Sequence, residues 1–386
     1  MPGVATVRAF LDASHVELAS RCNEFVARHI ATLPPADDDA TCRTQARTIA
    51  RLLGEGGWLR PIRQPDLRAC CLIRETLAAA SPLADAVFAL QALGALPIVL
   101  AGTDRQKRRW LDPALAGSAV AAFAMTEPDA GSDVSAMRTR AAPDGAGFVL
   151  NGTKTLISNA GIADFYTVFA TAEPGAGSRA IGCFLVPADA PGFRFLKPQV
   201  LSAPHPLGEI AFEDCRVPEE AVLALPGSGM KLGFATLDRL RATVGAAACG
   251  MAQRALADAL THARARRQFG QPLADFQLTQ LKLSRMATDL SAARLLVYRA
   301  AAVQDGGQER VTMESAMAKA FATEAAQRIV DDAVQLLGGR GVLADHPVDR
   351  LYRSVRALRI YEGTTEIQHL VIARQLLRDA GEVSST

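Results

Sequence analysis

The sequence predicts an α+β chain: helices first, then a small β-sandwich or barrel, then a long helical region. Three observations carry that reading. Residues 1–118 show helical patterning punctuated by proline. From Ala119, short β-rich runs alternate with loops such as Pro174-Gly175-Ala176-Gly177. From about Met230 the chain turns helical again, and Val330, Ala333, Val334 and Leu337 mark a buried stripe with a 3.6-residue period. The expected domains are 1–118, 119–225 and 226–386.

In the first domain the pattern predicts a helix over Phe10–Thr32, a break at Pro34-Pro35-Ala36-Asp37-Asp38-Asp39 and a second helix over Thr44–Glu55. Ala86 to Thr103 carries no charge and approaches the length of a membrane span. It is Ala-rich and interrupted by Gln91, Gly94 and Pro97, so it reads as a buried helix pair. An amphipathic run follows over Asp104–Leu111. In the second domain Phe148-Val149-Leu150 leads into Asn151-Gly152, a favoured type I′ hairpin turn. Strands are expected at Tyr166–Thr171, Ile181–Val186, Phe193–Leu196 and Glu209–Phe212. In the third, Gly338-Gly339 should end the helix bearing the stripe.

Composition excludes several classes. The 386 residues carry 42 basic and 40 acidic side chains, a net charge of +2, which argues for neither a nucleic-acid footprint nor an acidic tail. Seven cysteines, an odd number without a CxxC pair, fit reduced thiols. Arg8, Asp12, Glu17 and Arg21 leave no apolar core for a secretory signal, and the early acids disfavour a transit peptide; the expectation is a cytoplasmic protein. No repeat, zinc spacing or Walker loop is present, and no metal site is expected.

Chemistry is concentrated near the C-terminus, in Arg359-Ile360-Tyr361-Glu362-Gly363-Thr364-Thr365-Glu366-Ile367-Gln368. A charged helix over Asp349–Arg359 leads in, and Thr365 with Gln368 has capping-box spacing for a helix leading out. That second helix shows apolar residues at Ile367, Leu370, Val371 and Leu377, with Arg374 on the same side. Glu362 is thereby held on a tight turn, where a general base must be positioned before its pKa matters. The plainer alternative is a surface acid at the positive end of the next helix.

Four further stretches strengthen the chemical reading, although each alone also fits ordinary structure. Phe123-Ala124-Met125-Thr126-Glu127-Pro128-Asp129-Ala130-Gly131-Ser132-Asp133 places hydroxyls in a turn after an apolar strand, suited to a flat polar ring or a pantetheine thioester. Gly152-Thr153-Lys154-Thr155-Leu156-Ile157-Ser158-Asn159 follows it. Arg264-Ala265-Arg266-Arg267-Gln268-Phe269-Gly270 has cations that suit a pyrophosphate. Val334-Gln335-Leu336-Leu337-Gly338-Gly339-Arg340-Gly341 lets backbone approach a ligand closely.

All five stretches in this order, across an α–β–α chain, resemble the acyl-CoA dehydrogenase family. The resemblance is strongest from Ala122 to Leu377. It implies an N-terminal helical domain, a middle β-sandwich or barrel and a C-terminal four-helix bundle, with FAD bound non-covalently. The implied reaction is α,β-dehydrogenation of an acyl-CoA to the trans-2-enoyl-CoA, as in fatty acid metabolism. Glu362 would take the α-proton, and the β-hydride would pass to flavin N5. The resemblance further implies that Phe123, Met125, Thr126 and Ser158 line the flavin ring and that Thr364 and Glu366 contact FAD beside the base. Ser132, Asp238, Arg241 and Gly363 would meet the substrate. Arg266, Gln268, Phe269, Gln335 and Gly339 would reach the FAD of a neighbouring subunit, implying a homodimer or homotetramer, with an electron-transfer flavoprotein or similar acceptor as partner.

Three departures qualify this. Leu156 stands where an aromatic residue commonly shields the flavin, Leu201–Gly208 lacks the usual polar pattern, and the N-terminal domain is divergent. The alternatives are therefore an oxygen-using oxidase-type enzyme, a dehydrogenase of carrier-protein thioesters, and a non-catalytic relative acting as a binding module. For the acyl group, the absence of Lys, Arg or His between Glu75 and Asp104 predicts an uncharged chain, with Arg74 the nearest cation able to alter that.

Overall fold

The structure, a computed structural model, describes residues 2–308 and 311–383. Its helices in chain order are α1 (Pro2–Thr6), α2 (Ala13–Phe25), α3 (Asp39–Glu55), α4 (Leu67–Ala80), α5 (Pro82–Ala101), α6 (Asp104–Gln106), α7 (Asp112–Leu115), α8 (Gly229–Ala265), α9 (Gln277–Asp305), α10 (Thr312–Leu337), α11 (Pro347–Leu358) and α12 (Thr365–Val383). The chain divides into two compact units. One holds Met1–Leu33, Asp66–Asp85 and Asp238–Thr386; the other holds Pro34–Pro65 and Ala86–Leu237.

The second unit is built on one eight-stranded sheet: β1 (Ala121–Ala124), β2 (Arg140–Asp144), β3 (Gly147–Ser158), β4 (Phe165–Thr171), β5 (Ile181–Pro187), β6 (Phe193–Pro198), β7 (Leu207–Val217) and β8 (Val222–Ala224). Its order is β6-β7-β3-β2-β4-β5-β8, with β1 parallel to β4. The antiparallel halves β6-β7-β3-β2 and β4-β5-β8 meet at the Arg140↔Thr171 pair. Strand β4 is buried along its whole length, and Phe165 and Phe169 are fully enclosed.

The hairpin expected at Asn151-Gly152 is not there. That dipeptide lies inside β3, and the turn is at Gly145-Ala146, closed by the Asp144↔Gly147 pair. Gly145 supplies the positive φ, 61°, that this turn requires. Asn151 instead uses its amide to pair with Asp214 across the sheet, and Gly152 sits at a register shift where a Cβ would lie 2.7 Å from Thr139 Cα. Nor is the apolar stretch a helix pair, because α5 runs unbroken with Pro97 inside it. It is long and apolar enough to cross a membrane, yet its most apolar window is 78% buried. Within this unit Gln91 donates to the carbonyls of Ala114 and Ala119 and accepts from the Ala121 N–H, which explains a polar residue in a core helix.

The first unit is a helical core formed by α4, α8, α9, α10 and α11. Helix α2 begins at Ala13 rather than Phe10, because Asp12 is extended and caps it, and its last turn widens to a π-helical turn over Val26–Ile30. In the other unit α3 starts earlier than expected, at Asp39, because the Asp38 side chain accepts from the Thr41 N–H. Helix α10 ends at Gly338 as expected, at φ 59°. The apolar stripe of α12 is not buried in this chain: Leu370 is 49% and Leu377 75% exposed.

Candidate active site

The turn between α11 and α12 carries two consecutive residues at positive φ, Glu362 at 53° and Gly363 at 92°. A non-glycine residue there stores on the order of 1 kcal/mol or more, so its surroundings must hold it. Three contacts do so. Lys319 Nζ donates to the Gly363 carbonyl at 2.6 Å, and Gln368 Nε2 donates to the carbonyls of Glu362 and Gly363 at 3.2 and 3.0 Å. Glu324 accepts from both Arg359 Nε and Thr365 Oγ1, joining the two sides of the turn. The helix is capped one residue earlier than its spacing predicts. Thr364 Oγ1 accepts from the Ile367 N–H, which frees Gln368 to grip the turn.

Among the described residues, Glu362 Oε2 is buried with no hydrogen-bond partner. Burial raises the Glu362 pKa; Arg74, Lys319 and Arg241 oppose that rise, and Asp85 adds to it. Arg74 is 1% exposed, bonds Asp85 through Nε and Nη2 at 2.7 and 3.0 Å, and donates from Nη1 to Thr243 Oγ1 at 2.9 Å. Burial pushes the Tyr361 phenol well up, and the Arg74 charge opposes that rise. Burial lowers Lys319 to about 8.

Sequence reasoning placed Glu362, Gly363 and Thr364 correctly on the turn but missed Lys319, Glu324 and Asp85. Lys319 had a signal. It shares a buried helical face with Ala316, Ala320 and Thr323, where a lone lysine needs a partner. Arg241 is buried and paired with Asp238, which also accepts from Thr312, and its charge still opposes the rise in the Glu362 pKa. Glu366 is exposed.

A second cluster lies in the sheet unit at the end of β1. Phe123, Thr126 and Ser158 are half-buried, Met125 is buried and Ser132 is exposed. The frame beneath them is ionic. Lys154, fully buried, donates to the Met125 carbonyl at 3.0 Å and to Glu127 Oε1 at 2.7 Å. Glu127 also accepts from the N–H groups of Arg138 and Thr139. The Thr155 N–H donates to the Thr126 carbonyl at 3.1 Å, tying the two stretches singled out in the sequence. Leu156 is 54% exposed at φ 54°. Ser158 Oγ lies 3.2 Å from His205 Nε2, and burial with Arg43 nearby lowers His205 to about 4, which keeps it neutral. His205 belongs to the segment that departs from the usual pattern. The hydroxyls of Thr126 and Ser158 beside Phe123 and Leu156 suit a flat ring with polar edges.

The third cluster is at one end of the helical unit. After α8 a small hairpin, β9 (Arg267–Gln268) and β10 (Gln271–Pro272), carries Phe269 at its tip, 95% exposed. Arg266, Gln268, Gln335 and Gly339 are also exposed. Burial and the charges of Arg340 and Arg266 lower the pKa of His262, so the ends of α8 and α10 bring cations together. That suits a phosphate-bearing group.

Comparison with known proteins covers nearly the whole chain. The chain matches the acyl-CoA dehydrogenase N-terminal domain over residues 12–118, the middle domain over 122–215 and the C-terminal domain over 227–377. It is 37% identical over 378 residues, 95% of this chain and 96% of the relative, to the "Probable acyl-CoA dehydrogenase fadE25" of Mycobacterium leprae. Among solved structures it is similar to butyryl-CoA dehydrogenase from Megasphaera elsdenii, with TM-score 0.87 and 32% identity over 95% of this chain and 99% of that one. Glutaryl-CoA dehydrogenase from Mycobacterium smegmatis gives TM-score 0.86 and 29% identity over 96% of each chain.

Proposed function

Because the chain belongs to the acyl-CoA dehydrogenase family, FAD-using oxidoreductases, we propose that it dehydrogenates an acyl-CoA across its α- and β-carbons with Glu362 as the base. The buried, unpartnered Glu362 Oε2 on its clamped turn is the observation that carries the reading. FAD, when bound, supplies the acceptor for the hydride that leaves the β-carbon. Glu362 Oε2 receives the α-proton. The Glu362 backbone N–H polarises the thioester carbonyl, so charge developing on that oxygen is met by a fixed donor. Phe123, Met125, Thr126 and Ser158 would hold the ring, with Thr364 and Glu366 beside the base. Ser132 and the half-buried Asp238 are left to meet CoA, while Arg241 contributes its charge to Glu362.

Arg266, Gln268, Phe269, Gln335 and Gly339 would serve the FAD of a second copy. The exposed Phe269 ring and the open apolar face of α12 support a homodimer or homotetramer. The thiols are free and buried, which supports a reducing cytoplasmic setting, and an electron-transfer flavoprotein is the proposed acceptor. Arg266→Ala is expected to weaken FAD retention by about 2 kcal/mol through loss of one charge-assisted contact. Fluorescence titration of apoprotein with FAD measures this, and unchanged affinity would remove Arg266 from the site.

For the acyl group we propose an uncharged aliphatic or alicyclic chain. Arg74, which flanks the cation-free stretch 75–104 in the sequence, is already neutralised by Asp85. Butyryl-, hexanoyl- and cyclohexanecarbonyl-CoA are expected to bleach the flavin faster than glutaryl-CoA. The reverse order would overturn this assignment and leave the reaction class standing. One observation favours an oxidase-type second reading: the exposure of Leu156 where an aromatic shield is usual. Rapid reoxidation of the reduced enzyme by oxygen would support it.

A further inference from the structure

We propose that Gln199 and His205 are positioning residues for the flavin: the loop 199–207 latches the segment 155–159, and so sets how firmly the ring is held and what surroundings it meets. This rests on the reading that Ser158 and the stretch 123–126 receive the ring.

The segment needs a latch. Leu156 stands at φ 54°, a conformation rare for a bulky residue, and it is 54% exposed, so packing does little to hold it there. The pairing of β3 with β7 also breaks between Lys154 and Ile157. The backbone groups released by that break find other partners. Thr155 gives its N–H to the Thr126 carbonyl, and Leu156 gives its own to Gln199 Oε1 at 2.8 Å. Gln199 Nε2 donates in turn to Thr155 Oγ1 at 2.9 Å, so one side chain grips two successive residues. Further along, Ser158 Oγ lies 3.2 Å from His205 Nε2, and the Asn159 N–H donates to the Pro206 carbonyl at 2.8 Å.

The loop is itself closed. Its Gln199 N–H donates to the Leu207 carbonyl at 3.0 Å, and Arg43 donates to the carbonyls of both Leu207 and Ala160 at 2.6 Å, tying the far ends of loop and segment together. The departures noted in the sequence at Leu156 and over Leu201–Gly208 are thus joined in space. Where the usual aromatic residue is missing, hydrogen bonds from the facing loop hold the wall. His205 is kept neutral by burial beside Arg43, so it shares a single hydrogen bond with the Ser158 hydroxyl, which keeps capacity for a second partner in the ring.

Release of FAD from the full-length holoenzyme, followed by the rise of flavin fluorescence on dilution, is measured with the visible spectrum of the bound flavin. Gln199→Met, which removes both side-chain bonds at similar size, is expected to speed release about tenfold, and His205→Phe about fivefold, each with an altered spectrum. Gln199→Glu keeps both contacts, because the Thr155 hydroxyl then donates to the carboxylate, and His205→Gln keeps a partner for Ser158. These two are expected to stay within about twofold of the parent with its spectrum. A loop that only stabilised the fold would leave the flavin spectrum unmoved. Parent-like release and spectrum in Gln199→Met or in His205→Phe overturns the proposal, as does an equal change in their conservative counterparts. If one of the apolar variants fails to fold, the other decides alone. If neither folds, hydrogen exchange in the parent decides: removing FAD is expected to speed exchange of the Leu156 and Asn159 amides about tenfold, and equal rates overturn the proposal. Thr126→Trp, which fills the face assigned to the ring, separates the two readings. If it expels FAD while the latch variants behave as the parent, the latch alone fails; if it leaves FAD bound as in the parent, the placement of the ring fails and the latch with it.

Discussion

Glu362→Gln is expected to lower flavin reduction by acyl-CoA by at least 10³-fold while leaving FAD bound. The amide keeps the shape of the side chain and the grip of Gln368 and Lys319 on the turn, since those bonds go to backbone carbonyls. What it loses is the ability to take a proton, and general bases contribute roughly 10²–10⁴-fold. Among the described residues the carboxylates around the turn are otherwise engaged or exposed: Asp85 is bound at both oxygens by Arg74, Glu324 accepts from Arg359 and Thr365, and Glu366 is exposed. A second signature accompanies the loss. The folded-state pKa of Glu362 is raised, so its contribution to stability is full below the unfolded value and is lost as pH rises through the folded one. At neutral pH the ionised base is therefore a cost to the fold. The Gln variant is expected to unfold at a higher temperature than the parent at pH 7, with the difference shrinking towards pH 4. Calorimetry at the two pH values checks this, and a less stable Gln variant at pH 7 would contradict the burial argument.

Glu127→Ala is expected to produce a large stability loss, about 3–5 kcal/mol, because it leaves the fully buried Lys154 without its counter-ion, so that the ammonium is either uncompensated or gives up its proton. It also removes the acceptor for the Arg138 and Thr139 amides. Lys154 reaches the Met125 carbonyl as well, so the damage should extend to the Phe123–Thr126 segment and appear as reduced FAD affinity. Burial works against ionisation of Glu127, but Lys154 and the Arg138 N–H outweigh it and hold the carboxyl below its ordinary range. The stability this confers is present above the unfolded carboxylate pKa and is lost as pH falls through the lower folded value. Urea melts of parent and variant are expected to converge as the pH drops below 4. Glu127→Gln with Lys154→Met should recover much of the loss, since removing both charges removes the penalty of leaving one alone.

The helical and β regions were legible because burial on one face imposes a period, and periods survive in a single sequence. The Val330–Leu337 stripe and strand β4 both fell where the pattern put them. Turn assignment went wrong at Asn151-Gly152, where local propensity for a hairpin lost to cross-sheet pairing with Asp214 and to the close approach of Thr139. Stop signals also misled in α5. Gly94 and Pro97 read as breaks, yet a Cβ on Gly94 would lie 2.7 Å from the Ala121 Cβ, so that glycine marks close packing within its unit.

By itself the sequence determined the α–β–α order, the family and the turn on which Glu362 sits, since each depends on residues adjacent in the chain. Only the tertiary structure decided what surrounds that carboxylate. Arg74, Asp85, Arg241 and Lys319 are separated from Glu362 by tens to hundreds of residues, and no spacing rule relates them. The structure also decided that Glu127 anchors the frame rather than facing solvent. Electrostatic environment is a property of distance and burial, which a linear pattern records only where the partners share one helix or one strand.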